Sequence, residues 1–302
     1  MRSTKIAIIG AGPAGCAAAV QCKRLGVSPV LLDRKKEPGG LLVNAFCVEN
    51  YPGLLSPVSG MEFCARLAGH LSRFQVEIEC AEVTDVRFVD GGWLVKTDHE
   101  SLLAQNVIIC SGTTPQRLPI QEQDNGVFIY NEVRPFLKAH PSCESMLIIG
   151  GGEAAFDFSL SVASTGARVS ILVRGKKERV RGRLVEMVKQ NKAVNIMYNT
   201  SVVALRQQKD GIVATLNGVD GQEKRRVSGL IAAVGRVGAT SFIISETVKR
   251  NFSDALTPQD GLFICGDARL GALGQAGIAV GDGLLAAALT VKNVVKFAKD
   301  FK

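Results

Sequence analysis

Three glycines near the start of the sequence have the spacing of a phosphate-binding turn. The run Gly10-Ala11-Gly12-Pro13-Ala14-Gly15 has the pattern G-x-G-x-x-G. In this pattern the first glycine allows a tight turn, the second lets the backbone approach a pyrophosphate, and the third lets a helix pack closely on a sheet. Asp33 lies about 20 residues further on, where an acid accepts hydrogen bonds from a ribose. The run and the acid together predict a dinucleotide site at the N-terminus of a helix.

A second run, Gly150-Gly151-Gly152-Glu153-Ala154-Ala155, has the variant pattern G-x-G-x-x-A. Arg174 stands where the ribose-binding acid would be, and Lys176, Lys177 and Arg179 follow it. A cation at this position pairs with a 2′-phosphate, whereas an acid repels it. The second run therefore predicts a site that prefers NADPH to NADH. The alternative interpretation is a solvated basic loop without a ligand.

Each glycine run lies between a predicted strand and a predicted helix. The predicted elements are strand 4–10, helix 13–25 and strand 29–33 around the first run, and strand 146–150, helix 153–165 and strand 168–173 around the second. Alternating or continuous apolar patterns predict further strands at 76–80, 83–89, 93–97, 106–110, 201–206, 212–216, 229–234 and 261–265, and a final helix at 275–298.

Strand–helix–strand units of this kind require a parallel sheet that is covered by helices. The predicted fold class is therefore α/β, with two Rossmann-like three-layer dinucleotide-binding domains. Because no long polar linker separates two halves, we expect one domain to be inserted into the other. Residues 1–112 and 240–302 would form the first domain, and residues 113–239 the inserted one.

The composition favours a cytoplasmic globular protein. Of the 302 residues, 46% are hydrophobic, and no apolar run reaches the roughly 18 residues that a membrane span needs. The net charge is +8, but the basic residues are spread out and no nucleic-acid motif is present. The positive charge is either an ordinary solvated surface or a complement to an acidic electron-carrier protein.

The eight cysteines and three histidines do not form a recognisable reactive site. No cysteine pair has the spacing C-x-x-C, and none clusters with histidine at metal-ligand spacing, so no metal is predicted. Buried thiols in a reducing compartment are expected for most of the cysteines. His70, His99 and His140 are expected to be structural or surface residues. We therefore assign no catalytic side chain.

Several further motifs occur in an order that resembles the low-molecular-weight thioredoxin reductase family, over residues 4–295. They are Gly39-Gly40, Glu49-Asn50-Tyr51-Pro52-Gly53, Ser111-Gly112, Gly235-Arg236, Gly266-Asp267, Gln275-Ala276 and Gly281-Asp282-Gly283. The resemblance implies an FAD domain that carries an inserted NAD(P)H domain, and a homodimer. Residues 1–112 and 240–302 would bind FAD, and residues 113–239 would bind NADPH or, as the less favoured choice, NADH.

The resemblance also implies roles for single residues. Those that would contact FAD are Gly10, Gly12, Pro13, Ala14, Gly15, Asp33, Arg34, Gly39, Gly40, Leu41, Asn50, Val83, Ser111, Gly112, Gly266, Asp267, Gln275 and Ala276. Those that would contact the nicotinamide nucleotide are Gly150, Gly152, Glu153, Ala155, Arg174, Arg179 and Gly235. A helix that begins near Gln275 and Ala276 would stabilise negative charge on a reduced flavin.

The sequence departs from the family at the redox-active pair. The segment that aligns with the family's C-x-x-C is Tyr130-Asn131-Glu132-Val133, which contains no thiol. A dithiol is needed to pass two electrons to a disulfide, so ordinary thioredoxin reduction is expected to be absent. Cys47 and Cys143 are the remaining candidates for a lone reactive thiol.

Smaller departures fall close to both expected cofactor sites. Leu41 replaces a usual Gln, Gly274 a usual Arg, and Val173 and Gly175 a His and an Arg of the usual H-R-R stretch. The first two suggest altered flavin polarity or access. The last two weaken the argument for NADPH.

These observations leave three functions open. The leading one is an NAD(P)H-dependent flavoenzyme that delivers electrons to ferredoxin, flavodoxin or a small molecule. Ferredoxin–NADP reductases of thioredoxin-reductase type also lack the cysteine pair, but they usually carry a C-terminal extension, whereas this sequence ends on VVKFAKDFK. A second function is reduction of a small disulfide or quinone. A third is a flavin-binding subunit or scaffold that receives electrons from a protein partner and has no NAD(P)H activity.

Overall fold

Apolar runs bounded by glycine-rich turns form the central strands of two parallel sheets. The computed structural model describes residues 1–120, 122–123, 126–244 and 261–300. The chain divides into two units. Unit 1 consists of Met1–Val43, Val48–Thr114 and Arg236–Lys302, and unit 2 of Asn44–Cys47 and Pro115–Gly235.

The strands of the described residues are β1 (Arg2–Ile9), β2 (Val30–Asp33), β3 (Ile78–Cys80), β4 (Val83–Val89), β5 (Gly92–Thr97), β6 (Ser101–Ile109), β7 (Thr113–Pro115), β8 (Glu122–Gln123), β9 (Ser145–Ile149), β10 (Arg168–Val173), β11 (Val194–Tyr198), β12 (Ser201–Gln208), β13 (Gly211–Gly218), β14 (Gly221–Val227), β15 (Gly229–Ala232), β16 (Arg236–Gly238) and β17 (Leu262–Ile264). The helices are α1 (Pro13–Arg24), α2 (Gly60–Arg73), α3 (Val133–Ala139), α4 (Glu153–Ala163), α5 (Arg183–Gln190), α6 (Asp267–Leu270) and α7 (Ala276–Asp300). Two short 3₁₀ helices span Gly40–Asn44 and Gly271–Leu273.

Unit 1 is built in three layers around one parallel sheet. The strand order is β3-β2-β1-β6, with β17 also parallel to β6 and with β4 and β5 added as an antiparallel meander. One sheet face packs on α1 and α7, with Ile6, Ile8 and Ile108 in that core. The other face packs under the meander, with Trp93 buried. Both faces are covered, which explains why these strands are apolar throughout.

Unit 2 repeats this plan. Its parallel sheet has the order β11-β10-β9-β15. Helices α3, α4 and α5 cover one face, where Phe136 and Phe156 are fully buried. The antiparallel strands β12, β13 and β14 cover the other face, where Leu205 and Leu216 are buried. The predicted fold class, an α/β protein with two three-layer dinucleotide-binding folds, is confirmed.

The boundaries of the two units differ slightly from the predicted domain limits. The chain leaves unit 1 after Thr114 and returns to it at Arg236, whereas the sequence suggested limits at 112 and 240. The segment Asn44–Cys47 lies in unit 2, although the sequence placed it in the first domain. Part of the predicted 240–302 segment, residues 245–260 and 301–302, lies outside the described residues.

Among the described residues, nine strands and helices have no counterpart in the sequence prediction: β7, β8, β11, β14, β16, α2, α3, α5 and α6. Helix α3 is short and contains a proline, and β14 is polar and mostly exposed. Both are therefore stabilised by packing on their neighbours more than by propensity. The predicted strand 106–110 is the second half of a longer strand, because residues 101–104 pair with β5.

Helix α7 carries a stretch that is long and apolar enough to cross a membrane. Residues 276–295 have a mean hydropathy of 1.5, although Asp282 and Lys292 interrupt the run of apolar residues. In the structure Ala286 and Ala287 of this helix are fully buried against the core of unit 1, as expected for a core helix.

Candidate functional site

The first glycine-rich turn joins β1 to α1 by close backbone packing. Gly10 adopts a φ of 102°, and a Cβ at this position would clash with the carbonyl oxygen of Cys110. A Cβ on Gly15 would clash with the carbonyl oxygen of Gly10. These two positions therefore accept only glycine.

The N-terminus of α1 faces open space. Its N-cap residue is Gly12, which supplies no side-chain cap, and a Cβ built on Gly12 would meet no atom within 4 Å. Helix α2 shows the contrasting case, because the Ser59 side chain accepts a hydrogen bond of 3.1 Å from the N–H of Glu62. The first turn of α1 thus keeps N–H donors and room for an anion, which is the arrangement that a pyrophosphate requires.

Asp33 closes this turn from the end of β2. Its two carboxylate oxygens accept hydrogen bonds of 2.7 Å from the N–H of Ala11 and of 2.7 Å from that of Lys35. Each oxygen keeps a second acceptor position for a ligand hydroxyl. Two other predicted residues lie nearby. The carbonyl of Arg34 accepts a bond from the Cys80 thiol. Cys80 pairs with Asp33 in the sheet, and Val83 begins β4 three residues later.

Residues that are distant in the sequence meet at the first turn. The N–H of Gly39 donates to the carbonyl of Ala11 over 2.8 Å. A Cβ on Gly40 would lie 3.3 Å from the Cα of Gly12, and one on Gly266 would lie 3.2 Å from the Cβ of Ala14. The structure therefore brings together the first turn, its Pro13-Ala14 segment and the glycines of two later motifs.

Of the remaining predicted residues, Asn50 and Gln275 meet just before α7, which begins at Ala276. The Asn50 amide donates a hydrogen bond of 2.7 Å to the Gln275 side chain. The Ser111 hydroxyl donates to the carbonyl of Ala239 over 2.6 Å, and Gly112 accepts a bond from the same residue's N–H. Leu41 lies in the 3₁₀ helix that follows Gly40 and is partly buried.

Asp267 is partly buried in unit 1, next to Gly274 and Arg236. A Cβ on Gly274 would clash with its carboxylate, so a larger residue at that position would require the Asp267 side chain to move. Burial raises the pKa of Asp267, and the positive charge of Arg236 opposes that shift. Arg236 is itself fixed by hydrogen bonds of 2.8 and 2.9 Å to the side chain and carbonyl of Thr113.

An ion pair that the sequence did not predict lies next to the Gly266-Asp267 turn. Arg269 donates two hydrogen bonds, of 2.9 and 2.8 Å, to the carboxylate of Asp282, which also accepts from the N–H of Gly266. The pair holds the Gly266-Asp267 turn on α7. The motif Gly281-Asp282-Gly283 contained the acid, but nothing in the sequence linked it to Arg269. Among the described residues, the buried Nε of Arg269 has no hydrogen-bond partner.

The second glycine-rich turn joins β9 to α4 in the same way. A Cβ on Gly150 would clash with the carbonyl oxygen of Ala233, and the side chain of Ala155 packs beside it. Gly152 is the N-cap of α4 without a side-chain cap. Glu153 follows at the first helical position and is exposed. The predicted Gly235 lies two residues beyond Ala233, where its carbonyl accepts a bond from the N–H of Gln116.

A cationic loop borders the second turn. The side chain of Arg179 reaches within 3.9 Å of the Cβ position of Gly152. The backbone N–H of Arg179 donates a hydrogen bond of 2.7 Å to the carbonyl of Gly151. Arg174, Lys176 and Lys177 are exposed in the same loop. An anion on the N-terminus of α4 would therefore lie beside the guanidinium of Arg179.

The segment without thiols is part of the unit 2 core. Val133 is 1% exposed, and the Tyr130 ring makes edge contacts with Phe128, Phe136 and His140 at centroid distances of 4.6, 5.3 and 5.6 Å. The ends of this segment, Tyr130 and Val133, are thus an aromatic and an aliphatic side chain that pack in this core.

The segment Asn44–Cys47 contacts this part of unit 2, which the sequence did not indicate. The Asn44 side chain donates to Glu132 over 3.2 Å and accepts from the N–H of Arg134 over 3.1 Å. The N–H of Phe46 donates to the carboxylate of Asp157 over 2.9 Å. Burial raises the pKa of Asp157 to about 6, and the negative charge of Glu153 adds to the shift.

The cysteines are mostly buried. Cys110 and Cys265 directly follow the neighbouring strands β6 and β17. A hydrogen bond between their thiols, together with burial, raises the pKa of Cys110 well above its usual range. Burial also raises the pKa of Cys143, which lowers its thiolate population at neutral pH. Cys47 is partly exposed. No group of three or more metal-ligating side chains occurs among the described residues.

The chain is similar to known proteins over most of its length. A profile of the family described as "Pyridine nucleotide-disulphide oxidoreductase" matches residues 4–283. The thioredoxin reductase of Bacillus subtilis (strain 168) is 28% identical over 294 residues, which cover 93% of this chain and 92% of the relative. Thioredoxin reductase 2 of Arabidopsis thaliana is 27% identical over 311 residues, with coverage of 94% and 80%.

A similar architecture is found in solved structures. The thioredoxin reductase of Lactococcus lactis in its FR conformation superposes with a TM-score of 0.83 at 24% sequence identity, covering 97% of this chain and 99% of that one. At this level of identity the likeness shows the fold alone.

Proposed function

This chain belongs to the pyridine nucleotide-disulphide oxidoreductase family, and from that premise we propose that it passes electrons from NADPH through FAD to an acceptor other than a protein disulfide. It is an FAD-dependent NAD(P)H oxidoreductase similar to thioredoxin reductase. The observation that carries the proposed acceptor class is the segment Tyr130–Val133. Tyr130 and the buried Val133 stand at the positions that we align with the family's two cysteines. Neither side chain can exchange electrons with a disulfide.

Unit 1 has the features that FAD requires. The uncapped helix N-terminus and the open space at Gly12 would take the pyrophosphate, and Asp33 would accept a bond from the adenosine ribose. Asp267 would face the ribitol, and the N-terminus of α7 at Gln275 would lie at the pyrimidine end of the flavin. When bound, FAD accepts a hydride from the nicotinamide and returns electrons to the acceptor in one-electron or two-electron steps.

Unit 2 has the matching features for NADPH. The N-terminus of α4 at Gly152 would take the pyrophosphate, and Arg174 and Arg179 would pair with the 2′-phosphate. Arg179 is already placed at the turn by its backbone bond to Gly151. No side chain has to move a proton for the hydride transfer, so the chain's own contribution is to bind and orient the two nucleotides.

The net charge of +8 supports an acidic acceptor such as ferredoxin or flavodoxin. A small molecule such as a quinone or a low-molecular-weight disulfide is the alternative outcome of an acceptor assay. We further propose that the protein is a cytoplasmic homodimer. The exposed apolar side chains Ile278, Leu284 and Leu285 on α7 support a second copy as partner. Replacing Leu285 with Glu is expected to convert a dimer into a monomer in size-exclusion chromatography with light scattering.

The proposal is tested by anaerobic titration of the purified yellow protein with NADPH and, separately, with NADH. We expect NADPH to bleach the visible flavin band at lower concentration than NADH. Retained colour with both nucleotides would overturn the NADPH step and would indicate a flavin subunit that receives electrons from a protein.

The acceptor is tested on the NADPH-reduced protein under the same conditions. Ferredoxin, flavodoxin, a quinone, a small disulfide and thioredoxin are added separately, and reoxidation of the flavin is followed. Reoxidation by ferredoxin or flavodoxin is expected. Turnover with thioredoxin at a rate equal to that of a dithiol-containing thioredoxin reductase would contradict the proposed acceptor class.

A further inference from the structure

The cationic loop that follows β10 contains a single acid. Between residues 174 and 182 the loop carries Arg174, Lys176, Lys177, Arg179 and Arg181, and Glu178 is the only carboxylate among them. A free carboxylate beside a 2′-phosphate would weaken its binding by direct repulsion. What Glu178 contacts therefore decides whether it opposes or supports a phosphate at this loop.

Both oxygens of the Glu178 carboxylate accept hydrogen bonds from side chains outside the loop. One oxygen accepts a hydrogen bond of 2.7 Å from the Tyr198 hydroxyl, and the other accepts one of 2.9 Å from the Lys189 ammonium. Only 14% of the Glu178 side chain is exposed. The two hydrogen bonds, that of Tyr198 first, lower the pKa of Glu178 to about 2, so this carboxylate is ionised at every working pH.

The two partners of Glu178, Tyr198 and Lys189, lie on a strand and a helix that pack in unit 2. Tyr198 ends β11 and pairs in register with Val173, the last residue of β10 before the loop. Lys189 lies in the last turn of α5, which packs into the unit 2 core through Val185 and Val188. Glu178 therefore ties the loop both to the sheet and to the helix that follows it.

The next residue along the chain, Arg179, contacts the second glycine-rich turn. Arg179 donates its N–H to the carbonyl of Gly151 and places its guanidinium 3.9 Å from the Cβ position of Gly152. A second backbone bond, from Asn199 to Gly175 over 3.0 Å, fixes the start of the loop. Within the described part of the chain, no carboxylate forms an ion pair with Arg174, Lys176, Lys177 or Arg179. The charge of Glu178 is thus compensated by Lys189, and the loop cations stay available to a ligand.

We propose that Glu178, held by Tyr198 and Lys189, is a positioning residue that fixes Arg179 at the second glycine-rich turn and so sets the preference for a 2′-phosphorylated nucleotide. The inference rests on the proposed function, in which this turn binds NADPH. It makes an acid responsible for recognition of an anion. Simple electrostatics predicts the opposite, because removal of a nearby negative charge strengthens binding of a phosphate.

The two interpretations predict opposite changes in phosphate affinity when Glu178 loses its charge, and the experiment measures that change. The dissociation constants of 2′,5′-ADP and 5′-AMP are measured by calorimetry for the wild-type chain, Glu178→Gln and Tyr198→Phe. The control variant is Glu186→Gln, which removes the same charge from an exposed position on α5. Thermal melting of each variant shows that it is folded, and Tyr198→Phe carries the test if Glu178→Gln does not fold.

We expect Glu178→Gln to weaken 2′,5′-ADP about tenfold, the effect of one lost charge-assisted hydrogen bond. Tyr198→Phe should weaken it by a smaller factor, although it leaves every charge in place. Binding of 5′-AMP should be unchanged in both, and Glu186→Gln should bind 2′,5′-ADP as tightly as wild type or slightly more tightly. In steady-state assays the KM for NADPH should rise at constant kcat, while the KM for NADH stays the same.

Equal or tighter binding of 2′,5′-ADP by Glu178→Gln, with Tyr198→Phe unchanged, would overturn this inference and leave the proposed function standing. A wild-type chain that binds neither nucleotide and is not reduced by NADPH would overturn the proposed function, and this inference with it.

Discussion

At the first glycine-rich turn a carboxylate lies beside an uncapped helix, whereas at the second turn a guanidinium does. Asp33 bonds the N–H of Ala11 in the first, and Arg179 reaches Gly152 in the second. In both turns the first glycine has a positive φ and the second is an N-cap in extended conformation. The difference lies in the charged group beside each turn, which is Asp33 at the end of β2 in the first and Arg179 in the loop after β10 in the second. We expect this difference to select the ribose that each turn accepts.

The two helices that follow the turns also differ. Helix α4 carries Asp157 seven residues after the first glycine of its turn, where α1 has Ala17. Asp157 accepts a backbone hydrogen bond from the segment Asn44–Cys47. The helices that follow the two glycine-rich turns, α1 and α4, thus make different contacts. The substitutions below test how far the two turns differ in function.

The largest effect is expected from valine at the open glycine of each turn. Gly12 and Gly152 have φ angles of −70° and −104°, so the backbone accepts a side chain, and neither Cβ would clash. Gly12→Val should lose FAD, and Gly152→Val should keep FAD but lose reduction by NADPH. Loss of about two charge-assisted bonds to a phosphate predicts a drop in affinity of about 100-fold or more in each case.

These two variants are compared by flavin absorbance after purification and by stopped-flow reduction with NADPH. Circular dichroism of both should match the wild-type spectrum. Loss of FAD from Gly152→Val would mean that the two turns are not independent sites.

The next largest effect concerns charge at the second turn. Arg179→Gln should raise the KM for NADPH by about tenfold to a hundredfold, which corresponds to about 1.5–3 kcal/mol for one bond to a charged group. The KM for NADH should change little. Lys209→Gln is the control, because it removes an exposed positive charge elsewhere in unit 2. Equal losses for NADPH and NADH would show that Arg179 does not read the 2′-phosphate.

A smaller effect is expected from Asp157, and it depends on pH. The carboxyl has a pKa of about 6 in the folded protein, raised by burial, against about 4 in the unfolded chain. The folded state therefore binds this proton more tightly. The resulting stability is fully present below pH 4 and is lost as the pH rises through 6. Relative to Asp157→Asn, the free energy of unfolding of the wild type should fall by on the order of 2 kcal/mol between pH 4 and pH 7.

This difference is measured by urea unfolding of both proteins at a series of pH values. Because other carboxyls titrate equally in both chains, only the gap between the two curves reports on Asp157. A gap that stays constant from pH 4 to pH 7 would contradict the raised pKa.

The smallest effect is expected from Asp33→Asn at the first turn. The amide can accept only one of the two backbone hydrogen bonds that the carboxylate accepts, so the free energy of unfolding should fall by about 1.5 kcal/mol. FAD affinity should fall with it, while the NADPH preference of the second turn stays unchanged. Thermal melting and fluorescence titration with FAD measure the two quantities. An unchanged melting temperature would show that the Ala11 contact is not important for the turn.

The sequence predicted the backbone of both turns because glycine spacing and apolar strands are local signals. Gly10, Gly15 and Gly150 occupy positions where a Cβ would clash, as their places in the two motifs suggested. The strands and helices around them lie within a few residues of the predicted bounds. The assignments of single residues to FAD or NADPH stay predictions that the proposed experiments test.

The sequence by itself determined the fold class, the two glycine-rich turns, the acid of the first and the cations of the second, since each is encoded within about 30 residues of chain. Only the tertiary structure decided how side chains from distant elements combine. It paired Arg269 with Asp282, brought Asn44 to Glu132, and tied Glu178 to Lys189 and Tyr198. Such contacts depend on strand order and helix packing, which place residues side by side without any pattern in their spacing.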